Sequence, residues 1–600
     1  MNTKIINKWL TVLSFVICHL SFVVVLTSCE DILETNGTRD LFDKELTHKT
    51  DSMFMAYGIM QSMQLLADQY VLTGEMRGDL TATTFYTDDH LRQLADFSAT
   101  TANKYDSAYV YYAVINNCNY YIAHRDTTLY TGSTNVVINE YAAVKAFRAW
   151  AYLQLARNYG EVPFFTQPLT KISDINSNNY PVLNLKQIVD QLAPDLEQYV
   201  GLPVPDYGTI SCGTTNFGQS KSANSRLCFI PVDVILGELY LEAGQYDNAA
   251  RCYTGYLIRN GIQTGNRWAA VSTSWSGVEL PTDFYRASRS SDNKWEATFG
   301  NNATSDIISY IPMSVNRLRG TITRVPQLFG YRYYSTSSSS DSLYTDEIQI
   351  APSDAYSLLA DSSEYYYATD ALGTTIKSAR LGDMRRAEIL TLKSSDSELP
   401  TMTKYNNANI VLYRYTTVYL HLAEALNRLG HPDLAFAILK DGIDRQLLTA
   451  TYVSDASKTL LQTTYPFLSS ENISIFDPVA GSLTAKSAYG IHKHGCGYTN
   501  GAFTPYQYNT VVGNKLAELH PGATTFSRND SIDAMEDLLC DEYAMEFAFE
   551  GNRFADLCRM ARHKNNVTAS SGNKWLAGKL AYKTPKKDLT DERNWYLPFY

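Results

Sequence analysis

The chain has 600 residues, 45% apolar and 19% charged, which is enough to bury a large core and, by length, several domains. Its formal charge of −11, with no long Lys/Arg run, argues against nucleic acid as a partner. Tyrosine is abundant, 44 copies against 23 Phe and 7 Trp, and a flat ring with a polar tip suits both wet binding surfaces and half-buried helix contacts.

The first segment combines Lys4 and Lys8 with an uncharged apolar run from Leu10 to Ser28. Such a run reads as a membrane-spanning helix or as a secretory signal. "LTSC", Leu26 to Cys29, decides for the signal, because it resembles a bacterial lipobox. An aliphatic residue and two small residues fit a peptidase, and the cysteine sulfur accepts the lipid. Cys29 is therefore expected to be the lipidated first residue of the mature chain, tethered through acyl chains rather than by a spanning helix. Glu30 and Asp31 follow it, as in the surface-export signal of some Gram-negative lipoproteins. Of nine cysteines, Cys18 leaves with the signal and Cys29 carries lipid, so seven remain and at least one stays unpaired. Cys540 and Cys558 fall in one predicted helical region, too far apart along it to bond.

Helical patterns follow in chain order. Tyr109 to Ile122 and Glu140 to Phe165 carry apolar residues at three- and four-residue spacing, and Gly160 and Pro163 stop the second. Trp150 lies on its apolar stripe and is expected in the core. Val234 to Leu257 resembles a tetratricopeptide repeat, with Leu236, Gly237, Tyr240, Ala249 and Tyr253 at packing positions and "EAGQYD" as the turn. Small Gly237 and Ala249 let two antiparallel helices approach. Tyr419 to Ile443 is a second copy, with Ala423, Gly430 and Ala435 equivalent. The units lie more than one repeat apart, so the chain is a helical scaffold with insertions rather than a continuous solenoid. Residues 258–410 and 450–530 are rich in polar residues and tyrosine, and loops this long on a rigid body are expected to carry function.

Four stretches in order resemble the SusD/RagB family of outer-membrane nutrient-binding lipoproteins. They are "KAFRAWAYLQLARNYGEVPFF", "RLGDMRRAE" (Arg380 to Glu388), "TKYNNANIVLYRYTTVYLHLAEALNRLG" (Thr403 to Gly430) and "EFAFEGNRFADLCRM". The resemblance implies a mostly α fold, a SusD-like helical body with tetratricopeptide-like helix pairs and long loop insertions. Residues 1–28 would be the signal peptide, 29–260 the N-terminal helical region and 261–600 the C-terminal region. It further implies outer-membrane anchoring facing the cell exterior, a SusC-like TonB-dependent transporter as partner, and glycan binding without catalysis or cofactor. A peptide-binding import lipoprotein on the same scaffold is the alternative, and a glycan-cleaving lipoprotein a more distant one. The terminal "NWYLPFY" matches the family's proline-containing exit only in part.

The stretch Asp541 to Met560 raises the question of catalysis. Glu546 and Glu550 would sit about 5–6 Å apart on one helix face, close to the ~5–5.5 Å of a retaining glycosidase. Glycosidase carboxylates flank the scissile bond from opposite sides, whereas two on one helix point the same way. The expectation is a buried ion-pair network, with Glu542 and Arg553 in the same stripe and Leu539, Tyr543, Phe547 and Phe554 as the apolar seam. Arg385 and Arg386 read as solvated helix-end charge or as partners of Glu388. "HKHGC", His492 to Cys496, alternates two histidines and a cysteine as a strand presenting three metal ligands would, but no fourth ligand is evident, so a solvated loop or a half-buried histidine is expected rather than a metal. "DDH", Asp88 to His90, reads as a charged loop. The chain lacks the Gly-x-Ser-x-Gly, phosphate-loop and His-Glu-x-x-His motifs.

Ligand contacts are chosen by residue type and loop placement. Sugars present C–H faces that stack on aromatic rings and hydroxyls that bond planar polar groups. Trp268, Trp275 and Tyr285 in the middle insertion, and Arg77, Asp79 and Tyr86 in "GEMRGDLTATTFYTDDH" (Gly74 to His90), are the candidates. Trp295 reads as structural.

Overall fold

A computed structural model of the chain describes residues 49–171, 174, 180–214, 220–260, 299, 306–314, 322–330, 347–369, 375–386, 390–392, 400–402, 404–405, 408–476, 490–499 and 503–599. The signal segment with Cys29, and Trp268, Trp275, Tyr285 and Trp295, lie outside these residues.

Helices dominate the described residues, as expected. They are α1 (Lys49–Arg77), α2 (Asp89–Ala95), α3 (Ala108–His124), α4 (Ile138–Tyr159), α5 (Leu185–Glu197), α6 (Val232–Glu242), α7 (Tyr246–Arg259), α8 (Val325–Leu328) and α9 (Asp354–Ser362). The C-terminal half adds α10 (Tyr415–Arg428), α11 (Pro432–Lys440), α12 (Asp455–Gln462), α13 (Lys493–Cys496), α14 (Tyr508–Leu519), α15 (Arg528–Glu546), α16 (Arg553–Val567) and α17 (Ser571–Leu580). Described strands form two-stranded antiparallel pairs, among them Thr81–Thr83 with Ile350–Pro352 and Ile307–Ile311 with Ile410–Arg414. None of the described helices is long and apolar enough to cross a membrane.

The helices pack as antiparallel neighbours: α3 on α4, α6 on α7, α10 on α11, with α7 also against α10. Gly237 explains the closeness of α6 and α7. A Cβ placed there would overlap the ring of Tyr253, which is buried and donates its hydroxyl to Glu238 Oε1 at 2.9 Å. Helix α4 ends where Gly160 turns the chain at φ +76°, a left-handed conformation that a Cβ disfavours. Trp150 is in the core, as its position on the α4 stripe predicts. One continuous apolar cluster runs from Ala56 to Leu597 and joins α1 to α3, α4 and α16.

Cys540 and Cys558 are not on one helix. The chain breaks between Glu546 and Arg553, so they sit on α15 and α16, both as free buried thiols. The terminal segment is also tied in. Trp595 is buried, the Leu597 N–H donates to Asn158 O at 2.9 Å, and Phe599 meets Tyr112 and Tyr159 edge-on.

Candidate ligand-binding site

The charged stretch that opens the question of catalysis is structural. Helix α15 carries Glu542 and Glu546, and Glu550 lies in the turn after it; their side chains are 3%, 1% and 7% exposed. Arg385 reaches in from residues 381–386, donating from Nη1 to Glu542 Oε1 at 2.6 Å and Glu546 Oε2 at 2.9 Å. Its other edge grips Asp383, from Nε at 3.0 Å and Nη2 at 2.5 Å. Arg414 bridges Glu546, Glu550 and Asp306, and Lys404 Nζ donates to Glu550 Oε1 at 2.5 Å. His492 Nδ1 lies 2.8 Å from Glu542 Oε2, and His494 Nδ1 lies 3.1 Å from Glu546 Oε2. Five carboxylates thus meet two guanidinium groups, one lysine amine and two imidazoles. Burial alone would push Glu542 up, but Arg385 and His492 outweigh it and hold this carboxyl at about 2. Glu546 is likewise held well below the usual carboxylate range, its burial outweighed by His494, Arg414 and Arg385. Each acid is locked by fixed donors and shut away from a polymer chain, which is the opposite of what proton transfer to substrate requires.

Three expectations are corrected here. Arg385 is not a solvated helix-end charge but a fully buried hub. Arg553 does not serve the glutamate stripe; it forks onto Asp79, from Nε to Oδ1 at 2.6 Å and Nη2 to Oδ2 at 2.9 Å. "HKHGC" closes in a buried helical turn, α13, rather than a solvated loop, and both its histidines face the glutamates. Among the described residues no group of three or more His, Cys, Asp or Glu is placed to hold a metal ion.

The six candidate ligand contacts fall into three groups. Arg77 and Asp79, expected on an exposed loop, are both buried. Arg77 closes the last turn of α1, donating to Thr73 O at 2.8 Å and Trp595 O at 3.1 Å and bonding Asn158, while Asp79 is consumed by Arg553. They tie α1 to the C-terminal segment, shut away from solvent. Trp268, Trp275 and Tyr285 lie outside the described residues. Tyr86 is exposed, and its neighbour Phe85 more so.

Phe85 is 91% exposed and Tyr86 48%, their rings perpendicular with centroids 5.4 Å apart. An apolar ring left so bare is what needs explaining, and the loop beneath it is firmly held. Thr84 Oγ1 bonds Ile348 O, Thr87 Oγ1 donates to Gln349 O at 2.5 Å, and the Asp88 N–H donates to Gln349 Oε1 at 3.2 Å. From the other side Arg92 donates to Thr84 O at 2.7 Å, Phe85 O at 3.1 Å and Thr87 O at 3.0 Å. Asp88 caps α2 through the Leu91 N–H and pairs with Lys104 at 2.7 Å, which accounts for the acidic "DDH". The result is a preorganised aromatic ledge whose ordering cost is met by folding rather than by binding. Phe85 stands beside Tyr86 in the quoted stretch, and nothing local marks which of its rings points outward.

The SusD family model matches residues 323–456 and 511–599. No curated protein matches the sequence. Among solved structures, surface glycan-binding protein A from Bacteroides fluxus is similar at a TM-score of 0.52 and 13% identity, covering 91% of this chain and 94% of that one. A SusD superfamily protein from Bacteroides thetaiotaomicron gives 0.50 at 14% identity, over 91% and 95% of the two chains. Another from the same organism gives 0.50 at 15%, over 92% and 98%. The fold is that of helical SusD superfamily proteins. Over residues 323–456 and 511–599 the sequence is also similar to the SusD family.

Proposed function

We propose that the protein is a lipid-anchored, non-catalytic binder of oligosaccharide or polysaccharide at the outer cell surface, which passes its ligand to a SusC-like TonB-dependent transporter. The observation that carries the reading is the Phe85–Tyr86 ledge, two exposed rings on a loop that both its neighbours hold in place. Aromatic faces of this kind stack on the C–H faces of sugar rings. The fold is shared with a protein described as surface glycan-binding. The closed glutamate network supports binding without cleavage, because its acids are already neutralised by fixed partners. Trp268, Trp275 and Tyr285 in the middle insertion complete the proposed ligand surface, and the lipobox ending at Cys29 supplies the anchor.

The test is a screen of the full chain, extracted in detergent, against immobilised polysaccharides and a peptide library. Retardation by one polysaccharide class, with no new reducing ends over time, supports the reading. Capture of peptides alone, or time-dependent cleavage of the polysaccharide, overturns it.

A further inference from the structure

A second concave site lies away from the Phe85–Tyr86 ledge and shares no residue with it. It is an open cleft of about 990 Å³, formed where the end of α4, the start of α5, the turn between α6 and α7, one face of α16 and the terminal segment meet. That volume is at the upper end for small-molecule sites. Half-buried rings of Tyr246, Tyr596 and Phe599 contribute apolar faces to its lining.

The charges of the lining decide the kind of ligand. Most are already spent on one another. Glu242 is held by Arg157 and Arg559, Arg562 by Glu592 at 2.8 Å, Arg428 by Glu424 and Glu536, and Arg593 by Asp591 at 2.6 Å. The lining side chains with no ion pair or hydrogen bond among the described residues include Glu161, Lys186, Lys587 and Asn566: one acid, two bases and an amide. These free groups sum to a single positive charge, so a polyanion or a cation would lose water there without meeting a matching excess of opposite charge. A neutral polyol loses far less, and its hydroxyls both donate and accept, so they suit a wall that mixes carboxylate, guanidinium, ammonium and amide groups.

We propose that this cleft is a second binding site, for a neutral oligosaccharide, with rings stacked on the aromatic side chains and hydroxyls bonded to Glu161, Asn566 and the Arg562–Glu592 pair. The inference rests on the glycan-binding reading and adds a separate site to it. Two sites on one body hold a polymer by linked, individually weak contacts.

The experiment measures binding stoichiometry of the full chain by equilibrium dialysis with maltohexaose, cellohexaose, xylohexaose and laminarihexaose, and with hexagalacturonate as the charged comparator. Asn566→Trp fills the cleft from an exposed position, Glu161→Ala removes a free exposed acceptor, and Phe85→Ala removes the ledge. Wild type should take up two equivalents of one neutral hexasaccharide, and Asn566→Trp and Phe85→Ala one each. Glu161→Ala should weaken one of the two sites by about tenfold, with the melting temperature unchanged. A single equivalent abolished by Phe85→Ala overturns the cleft site and leaves the glycan-binding reading standing. Occupancy of the cleft by hexagalacturonate alone overturns the neutral-ligand assignment. Failure of every hexasaccharide to bind overturns both readings.

Discussion

Arg385 Nη1 donates to Glu542 Oε1 at 2.6 Å, a contact between residues 157 positions apart in the chain, and both side chains are buried. The same guanidinium holds Glu546 and Asp383, so one cation pins residues 381–386 to α15. Removing it would leave buried Asp383 without an ion-pair partner among the described residues and Glu542 with His492 alone, while Glu546 keeps Arg414 and His494. Breaking a buried pair in this way costs about 3–5 kcal/mol, more than the net worth of the intact pair, because the leftover charge is neither solvated nor paired.

Arg385→Met is therefore expected to lower unfolding stability by about 3–5 kcal/mol, read by urea denaturation. Arg385→Lys keeps the charge but loses the fork, and should fall between the variant and wild type. A loss of less than about 1 kcal/mol in Arg385→Met would mean that the network contributes little.

Acid should act through the same helix. Glu542 titrates at about 2 in the folded protein, below its unfolded value, so its stabilising contribution is complete above the unfolded value near 4.5. It is lost progressively as pH falls from there toward about 2. Glu542→Gln should flatten the stability profile in that window, and a variant whose profile matches wild type would remove Glu542 from the acid response.

Glu75 works with the opposite sign. It is fully buried, accepts the Gly551 N–H at 2.7 Å through Oε1, and its Oε2 has no hydrogen-bond partner among the described residues. Burial pushes this carboxyl up to about 7, opposed by the Gly551 N–H and by Arg553. A folded value above the unfolded 4.5 means that stability falls as pH rises from about 4.5 to about 7. Glu75→Gln should remove this decline and leave the variant more stable than wild type at pH 8 by on the order of 1–3 kcal/mol. A Glu75→Gln variant less stable than wild type at pH 8 would defeat the argument.

The α6–α7 contact can be probed by one methyl group. Gly237→Ala should cost about 1–3 kcal/mol, because the new Cβ overlaps the Tyr253 ring in a close-packed interface. Gly58→Ala, in α1 with nothing within 4 Å of its added Cβ, should be neutral or stabilising. Thermal denaturation separates the two, and equal shifts would show that helix propensity rather than packing sets the response.

Phe85→Ala should weaken ligand binding by about 1–3 kcal/mol, on the scale of ring stacking in other π-systems, with an unchanged melting temperature because the ring packs against little of the body. Normal binding with a lowered melting temperature would move the ligand surface to the middle insertion, where Trp275→Ala is the corresponding variant.

Much of the scaffold is legible in the residue pattern, because helix periodicity and close packing are written locally. The spacing of Gly237, Ala249 and Tyr253 marks an antiparallel pair, Gly160 marks the end of α4, and Trp150 on its stripe marks the core. Carboxylates on one face of α15 are enough to argue for structure over catalysis. The identity of their partners is not legible, since Arg385, Lys404 and Arg414 come from segments more than 130 residues away and a charge carries no address.

The same limit governs the candidate ligand residues. Within "GEMRGDLTATTFYTDDH" the residue types are equally compatible with a surface loop and with a buried junction. Tertiary structure divides them. Arg77 and Asp79 are drawn inside because Trp595, Asn158 and Arg553, all distant in sequence, satisfy their charges and donors. Phe85 is left outside because Gln349 and Arg92 hold the backbone beneath it and none of the described residues covers its ring. Local periodicity decides where helices form, while desolvation, which depends on every neighbour at once, decides which polar groups are buried and which rings face water.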